Sequence, residues 1–288
     1  MNPVHNERGW ALASVLWVVT MLALMAAATQ ELTIISSRTE RRAWESAEAS
    51  AAFDATAVQA VAGIAAPTVL DRWRVDGVSR DISVSGFPVR VVVQAEAGRY
   101  DLNAVDASVL MDLLRSAGVE PEHASALAGN ILDWRSPGPF HVIDGATDAD
   151  YLTAGMPCRP RHAPFQHVDE LQLVLGMTPD LFGRIRPALT VYSKRATIDP
   201  MIAPRESLLA LYHGDQQRVD ALLQARDAPS AENIASRAGI MNPGLALAGE
   251  AFTIAAQVEI ARRIYRRSVV VLLTGLPARP FLILARSS

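Results

Sequence analysis

The sequence contains one cysteine, few aromatic residues and no long run of charge of one sign. Because Cys158 has no second cysteine in the chain to pair with, no intramolecular disulfide can form and the fold depends on packing. The 27 basic and 30 acidic residues are interspersed, with a formal net charge of -3. This distribution provides no basic stretch of the kind that binds nucleic acid.

Motifs of common catalytic sites are absent as well. The chain has no GxSxG, HExxH or P-loop pattern, and its 6 histidines are scattered. We therefore expect a protein that is not an enzyme. Its 288 residues are enough for one large domain or two modest domains, each with a sizeable core.

A long apolar run lies near the N-terminus. From Trp10 to Ala28 there is no charged residue, and at about 1.5 Å per residue a helix of this length matches a bilayer core of ~30 Å. A signal peptide is the alternative, but its apolar region usually has about 7–15 residues and this run is longer. A helix-favouring composition continues without proline up to Pro67, which predicts one long helix projecting out of a membrane.

A short polar leader precedes the apolar run. It ends in Arg8-Gly9 and is followed by Trp10 and an alanine- and leucine-rich helix, a pattern that resembles the leader of type IV prepilins. The resemblance implies cleavage by a prepilin peptidase between Gly9 and Trp10, N-methylation of Trp10, and export of the chain to the periplasm. Counting arginines on either side of the run predicts the opposite orientation, and we follow the resemblance.

One residue departs from the pattern of that family. Ser14 is the fifth residue after the junction, where most pilins and pseudopilins carry a glutamate. In those proteins the carboxylate is thought to offset the terminal ammonium of a neighbouring subunit, and an unpaired charge in lipid costs at least a few kcal/mol. A subunit without this carboxylate suits the tip of a filament, where no further subunit is bound.

The remainder of the chain alternates between strand and helix patterns. Apolar and polar residues alternate around Gly86-Phe87-Pro88, which predicts a hairpin, and strand-like runs resume after Ala251 with a turn at residues 275–277. Between them, from Leu102 to about Ala225, apolar residues recur at helical spacing. We predict an α+β fold with a large α-helical domain inserted between strands. The resemblance to prepilins implies in addition a pilin-like arrangement, in which the long N-terminal helix packs on a small antiparallel sheet.

Two weaker patterns add detail within and after the helical part. Near residues 100 and 200 similar segments place Asn103 and Asp199 before leucine-rich helices, and we expect each residue to be a helix N-cap. The polar segment 226–244 is predicted to be a loop.

Several motifs of the helical part resemble the protein K family of minor pseudopilins in type II secretion. With the leader, the resemblance covers roughly residues 8 to 200, and its order and spacing are more specific than any one motif. The motifs are Leu102-Asn103 with Ala107, Ile131–Trp134, Asp144–Tyr151, Pro164-Phe165, Val168–Leu171 with Gly176-Met177, Leu189–Ser193, and Ile198-Asp199.

The family resemblance implies a single-pass protein of the bacterial inner membrane with most of its chain in the periplasm. Its partners would be two minor pseudopilins resembling proteins I and J, the prepilin peptidase, and the secretin or a secreted cargo. The implied domains are the leader (1–9), the transmembrane part of the helix (10–28), the periplasmic helix and first strands (29–100), an inserted helical domain (101–245) and the C-terminal strands (246–288). Two alternatives are a minor pilin of a type IV pilus and a membrane-anchored DNA-binding protein.

Calcium is the candidate cofactor. Asp133, Asp144, Asp148 and Asp150 fall around a glycine- and proline-rich loop, and Ca²⁺ takes 6–8 oxygen ligands. Members of the family bind calcium in this domain, which supports the assignment, whereas the alternative is that these aspartates cap helices and turns.

Two further patterns favour ordinary structural roles over a binding site. Cys158, His162 and His167 have spacings that suit zinc, but no fourth ligand motif completes the set. Residues 168–192 resemble a helix-hairpin-helix, or SAM-like, unit of the kind that grips DNA phosphates. Acidic residues dilute its arginines, so we do not expect it to bind DNA.

Overall fold

The structure, a computed structural model, describes residues 7–68, 71–137, 145–228 and 247–287. It begins with a helix, α1 (Glu7–Ile64), of 58 residues, which at about 1.5 Å per residue is ~87 Å long. The helix ends where Trp73 packs against it. A Cβ atom on Gly63 would lie 2.4 Å from the Trp73 ring, and the Trp73 amide donates to the Gly63 carbonyl at 3.0 Å.

Strands precede and follow a helical part in the chain. Within the described residues they are β1 (Asp76–Val84), β2 (Phe87–Ala95), β3 (Tyr100–Asp101), β4 (Leu189–Thr190), β5 (Ala251–Ile260), β6 (Arg263–Leu276) and β7 (Arg279–Ser287). Five of them form an antiparallel sheet in the order β1-β2-β5-β6-β7. Strands β3 and β4 form a separate parallel pair. The coarse prediction of helix combined with antiparallel sheet is therefore confirmed.

The predicted hairpins are also present, with small shifts in their turns. Strands β1 and β2 are joined by Ser85 and Gly86, which have φ of 51° and 85°, as a type I′ turn requires. Phe87 and Pro88, expected in the turn, instead begin β2. The turn between β6 and β7 follows Leu276, close to the predicted position.

One face of the sheet packs against α1. Valines 89, 91 and 93 of β2 alternate with exposed or half-buried residues and are buried beneath the helix, as the period of two in a strand requires. The contacts form two apolar clusters along α1. One joins Ala49, Ala52 and Phe53 to β1, β2 and β5, and the other joins Ala60, Val61 and Ile64 to β2, β5 and β6.

A helical block lies between β2 and β5 in the chain. Its helices in the described residues are α2 (Ala107–Ser116), α3 (Pro121–Arg135), α4 (Asp148–Thr153), α5 (Pro179–Ile185), α6 (Arg205–Leu211) and α7 (Gln216–Asp227). Helices α2 to α6 contribute to a core of their own, in which the Trp134 and Phe165 rings stack with centroids 6.1 Å apart and Tyr151 is fully buried. Helix α7 packs through Val219 in a smaller cluster with Leu208 of α6. Of the predicted loop 226–244, residues from 229 on lie outside the described residues, and Arg226 and Asp227 end α7.

The two expected N-caps were wrong. Helix α2 is preceded by Asp106, and α6 by Pro204. The Asn103 side-chain amide instead bonds the backbone of Phe165 twice, at 2.9 Å and 2.7 Å. Asp199 accepts a bond from the Met201 amide at 2.9 Å, a local turn rather than a helix start. Both side chains therefore serve tertiary or turn contacts that helix propensity does not reveal.

Candidate functional site

The predicted processing junction lies within α1. Gly9 and Trp10 both have helical backbone, and the Trp10 side chain is 83% exposed. Beyond it, the large apolar side chains of this part of the helix are also exposed: Leu12, Val15, Leu16, Trp17, Val18, Val19, Met21, Leu22, Leu24 and Met25. An exposed apolar surface of this extent marks an interaction site. Within the described residues, no helix combines the length and the apolar character that a membrane crossing needs.

The candidate calcium ligands lie in different settings. Asp133 is buried in α3, whereas Asp148 and Asp150 are in the first turn of α4. Asp150 forms a capping box with Thr147, in which its Oδ2 accepts the Thr147 amide at 2.7 Å. Asp148 lies 3.4 Å from Nε2 of His162 and 3.8 Å from the Arg159 guanidinium. Asp144 lies outside the described residues.

The described members of these groups are not gathered into a metal centre. Across the described part of the chain, no three His, Cys, Asp or Glu side chains are grouped closely enough to hold a metal ion. That applies to the three described aspartates and to the pattern of Cys158, His162 and His167. Carboxylate oxygens suit Ca²⁺, but Asp150 already bonds its own helix terminus, so the described residues alone do not complete a calcium site.

The helix-hairpin-helix pattern is realised only in part. Its first helix is a 3₁₀ segment, Val168–Leu173, and the second is α5, capped by the Thr178 hydroxyl, which accepts the Leu181 amide at 3.2 Å. The arginines that would meet DNA are ion-paired: Arg184 with Asp180 at 3.1 Å, and Arg186 with Asp169 at 3.3 Å. The unit therefore presents no free basic surface to phosphates.

The junction between the sheet and the helical block is a polar site that sequence reasoning missed. Glu96, the first residue after β2, is 1% exposed, and its Oε1 accepts the Thr253 hydroxyl of β5 at 2.5 Å. Arg99 approaches the same oxygen at 3.2 Å. In β2, the Gln94 amide donates to the Ile202 carbonyl of the block at 2.8 Å. The only sequence signal is a buried-strand pattern interrupted by Gln94 and Glu96.

The block also packs closely at this junction. A Cβ atom on Gly98 would lie 2.5 Å from the Ile202 carbonyl oxygen, so only glycine fits there without a backbone shift. The buried Arg226 of α7 donates to the carbonyls of Ala203, at 2.8 Å, and Pro200. Burial lowers the pKa of Arg226, and Asp76 and Asp199 oppose that effect. The guanidinium thus ties α7 to the segment that enters α6.

The junction defines the position of the block relative to α1. Ile64 at the C-terminal end of α1, Phe252 of β5 and Ile202 of the block line one cavity of about 400 Å³. Arg74 bridges Asp76 of β1 and Asp227 of α7, at 2.5 Å and 2.7 Å. The helical block therefore lies at the end of α1 that is distant from the exposed apolar segment.

Comparison with known proteins is consistent across family, sequence and structure. Residues 87–194 match the family model described as type II secretion system protein K. A type II secretion system protein K of Klebsiella pneumoniae is 25% identical over 263 residues, covering 81% of this chain and 79% of that protein. The protein of the same name from Pectobacterium carotovorum subsp. carotovorum is 24% identical over 185 residues, covering 59% of this chain and 56% of that protein.

A solved structure shares the fold. The crystal structure of the GspK-GspI-GspJ complex from the type 2 secretion system of enterotoxigenic Escherichia coli contains a chain that matches with a TM-score of 0.58 and 14% identity. The match covers 87% of this chain and 98% of that chain. The combination of helices and antiparallel sheet is thus a fold that the two chains share.

In the family model, along most of its sequence and in its fold, the chain is therefore similar to protein K of the type II secretion system. The alternatives of a type IV pilus minor pilin and of a DNA-binding protein are not favoured.

Proposed function

We propose that this chain caps and nucleates the tip of the pseudopilus in complex with two other minor pseudopilins, and so supports protein export across the outer membrane. The observation that carries the proposal is the position of the helical block. The hydrogen bond between Thr253 and Glu96 links the block to the sheet. The block lies at the C-terminal end of α1, away from the exposed apolar segment. A bulky block at the distal end of the helix obstructs the addition of a further subunit above it.

The apolar end of α1 would anchor the chain in the inner membrane. Residues 10–28 would cross the bilayer once, leaving the rest in the periplasm, and the exposed apolar side chains from Trp10 to Met25 support this. A prepilin peptidase would cut after Gly9, and Trp10 would be N-methylated. Ser14 would leave no carboxylate for a subunit beyond, consistent with the terminal place in the filament.

The fold would combine a pilin-like domain with an insertion. The pilin-like part would comprise residues 10–100 and 246–288, and the inserted helical domain residues 101–245. Support comes from the pairing of β2 with β5, which flank the insertion in the chain and are adjacent in the sheet. The inserted domain would also provide a contact surface for the secretin or for a secreted cargo.

The partners would be minor pseudopilins that resemble GspI and GspJ, the proteins in the complex that contains the matching fold. The test is co-expression of the full chain with those two proteins of the same bacterium, followed by purification in detergent. We expect a stable complex, and few pseudopili when the gene for this chain is deleted. Two results together would contradict the proposal: the chain associates with neither protein, and cells that lack the chain assemble normal pseudopili.

Calcium binding is a separate proposal for the helical block. Asp133, Asp144, Asp148 and Asp150 would supply carboxylate oxygens, with Asp144 from outside the described residues. A bound ion would stabilise the fold by RT ln(1 + [L]/Kd), about 2.7 kcal/mol at a hundredfold excess over Kd. Thermal melts with Ca²⁺ and with chelator test this. We expect a Ca²⁺-dependent rise in Tm that Asp144→Asn removes and Asp180→Asn preserves; no difference between the melts would leave the aspartates as capping residues only.

A further inference from the structure

Helix α1 leaves part of its face of the sheet uncovered. The five strands, spaced by about 4.8 Å, span ~19 Å, whereas a helix is about 10–12 Å wide. The helix packs mainly on β5 and also on β2, with fewer contacts to β6. The β7 side of the sheet therefore extends beyond α1 on the face that α1 packs against.

A groove occupies this uncovered strip. Phe53 and Ala57 of α1 form one wall, Val269 of β6 lies in the floor, and Ile283 of β7 forms the outer side. Ile283 pairs with the buried Val271, so both side chains face α1, yet Ile283 is 44% exposed. The groove thus exposes an aliphatic surface that resembles the core beside it.

The size of the groove distinguishes between kinds of occupant. Its volume of about 260 Å³ is below the ~300–1,000 Å³ typical of small-molecule pockets and accommodates a few aliphatic side chains. Strands β5, β6 and β7 all line it, and two strand spacings, roughly 10 Å, separate β5 from β7. That width matches the distance at which one helix lies beside another. A strand added to the edge of β7 would leave this groove open, whereas a helix beside α1 would cover it.

The charged residues that line the groove indicate which charge the bound helix carries. Two guanidinium groups, those of Arg267 and Arg286, line the groove beside a single carboxylate, that of Asp54, among the described residues. Arg286 is 3.5 Å from Asp54, and both side chains are mostly exposed, so the pair is weak. Arg267 donates to the Ser50 hydroxyl at 2.9 Å and lies over the Phe53 ring. The rim is net basic and attracts an acidic partner.

We infer that the groove between α1 and β7 binds an amphipathic helix of a partner minor pseudopilin. The helix inserts an aliphatic ridge between Phe53 and Ile283 and places acidic residues beside Arg267 and Arg286. This inference rests on the proposed function, since it locates the surface through which that complex forms. The mode is a helix in a groove, in which aliphatic side chains spaced by three or four residues supply the anchors.

Two adjacent residues provide a matched test in the full chain, purified in detergent with its GspI- and GspJ-like partners. Ile283→Glu places a carboxylate in the groove, whereas Leu284→Glu changes a neighbour of similar exposure, 42%, that does not line it. We expect Ile283→Glu to weaken the complex by at least about tenfold and Leu284→Glu to leave it within about twofold. Arg286→Glu should also weaken it. Equal binding by all variants, or equal loss by the two glutamate variants, would overturn the inference.

A crosslinking experiment identifies the segment bound in the groove and does not depend on how a substitution affects the stability of the fold. A photo-crosslinking amino acid at position 283 should yield a crosslinked peptide from a helix of a partner pseudopilin, and one at position 284 should yield much less. A peptide from a strand, a crosslink to a second copy of this chain, or no crosslink would contradict the inference. If the wild-type chain does not bind the partners at all, the proposed function fails as well. If the wild-type chain binds its partners and Ile283→Glu does not weaken that binding, the groove is not the binding surface, and the proposed function is unaffected.

Discussion

The Thr253 hydroxyl on β5 donates a 2.5 Å hydrogen bond to Glu96, the residue at which the chain leaves β2 for the helical block. The two residues are 157 positions apart in the sequence. The bond therefore joins the point where the chain enters the helical block to the strand that follows the block. Because Glu96 is buried, the loss of a partner leaves its carboxylate less well satisfied. We predict that Thr253→Val lowers the free energy of unfolding by about 1–3 kcal/mol.

Urea denaturation measures this effect, with Thr153→Val as the control. Thr153 is exposed, and its hydroxyl donates to the Ala149 carbonyl within its own helix at 2.8 Å. Its substitution should change the free energy of unfolding by less than about 0.5 kcal/mol. Equal effects of the two substitutions would mean that the Glu96–Thr253 bond adds nothing to the junction.

A second prediction concerns Gly98. Gly98→Ala brings a Cβ atom within 2.5 Å of the Ile202 carbonyl oxygen, a backbone atom that cannot rotate away. We expect a loss of about 1–3 kcal/mol in stability, as for other overpacking changes. Gly183→Ala is the matched control, because Gly183 lies in α5 with nothing near its Cβ position, and alanine should stabilise that helix by roughly 0.5–1 kcal/mol. Thermal melts that rank the two variants in the opposite order would refute the close approach at Gly98.

The turn between β5 and β6 places two residues other than glycine in a left-handed backbone conformation. Ala261 and Arg262 have φ of 50° and 65°, a left-handed conformation that costs a residue other than glycine about 1–2 kcal/mol. Because Asn-Gly suits a type I′ turn, the double substitution Ala261→Asn with Arg262→Gly should raise the unfolding free energy by about 1–2 kcal/mol. Ala261→Val should lower it, since a β-branched residue fits this conformation poorly. Chemical denaturation distinguishes the two, and a rise with valine would show that the turn has another geometry.

Tyr100 makes stability depend on alkaline pH. Burial, reinforced by Asp112, raises the pKa of its phenol to about 12, and its hydroxyl lies 3.3 Å from the Ser207 carbonyl. The unfolded chain releases this proton near pH 10 and the folded chain near pH 12, so stability is full below pH 10 and falls between the two values. Over that range the loss is roughly 2–3 kcal/mol. Urea midpoints from pH 9 to 12 should fall more for the wild type than for Tyr100→Phe, and parallel curves would contradict the assignment.

Local patterns predicted the elements better than the contacts between them. The alternation of valines in β2 and the turn residues Ser85 and Gly86 act over a few positions, so the hairpin was predictable. The Glu96–Thr253 bond and the role of Asn103 at Phe165 depend on residues far apart in the chain. No propensity or spacing rule contains that information, which is why Asn103 was mistaken for an N-cap.

The features of the candidate sites also differ in how far they could be predicted from the sequence. The apolar segment after Gly9 and the acidic residues around Asp148 are visible in the sequence because they are contiguous. The groove between Phe53 and Ile283 is not, because α1 and β7 lie at opposite ends of the chain and meet only when the sheet forms. The predicted first helix of the helix-hairpin-helix unit is a 3₁₀ segment, Val168–Leu173, a type of helix that proteins use in short pieces.

The central claim, that this chain is processed and assembled as a pseudopilin, is tested most directly at its N-terminus. The measurement is mass spectrometry of the N-terminal peptide from the full chain expressed with and without a prepilin peptidase. We predict that the mature protein begins at Trp10 with an added methyl group, and that Met1–Gly9 is retained when the peptidase is absent. A terminus at any other residue, or the same terminus in both strains, would contradict the account.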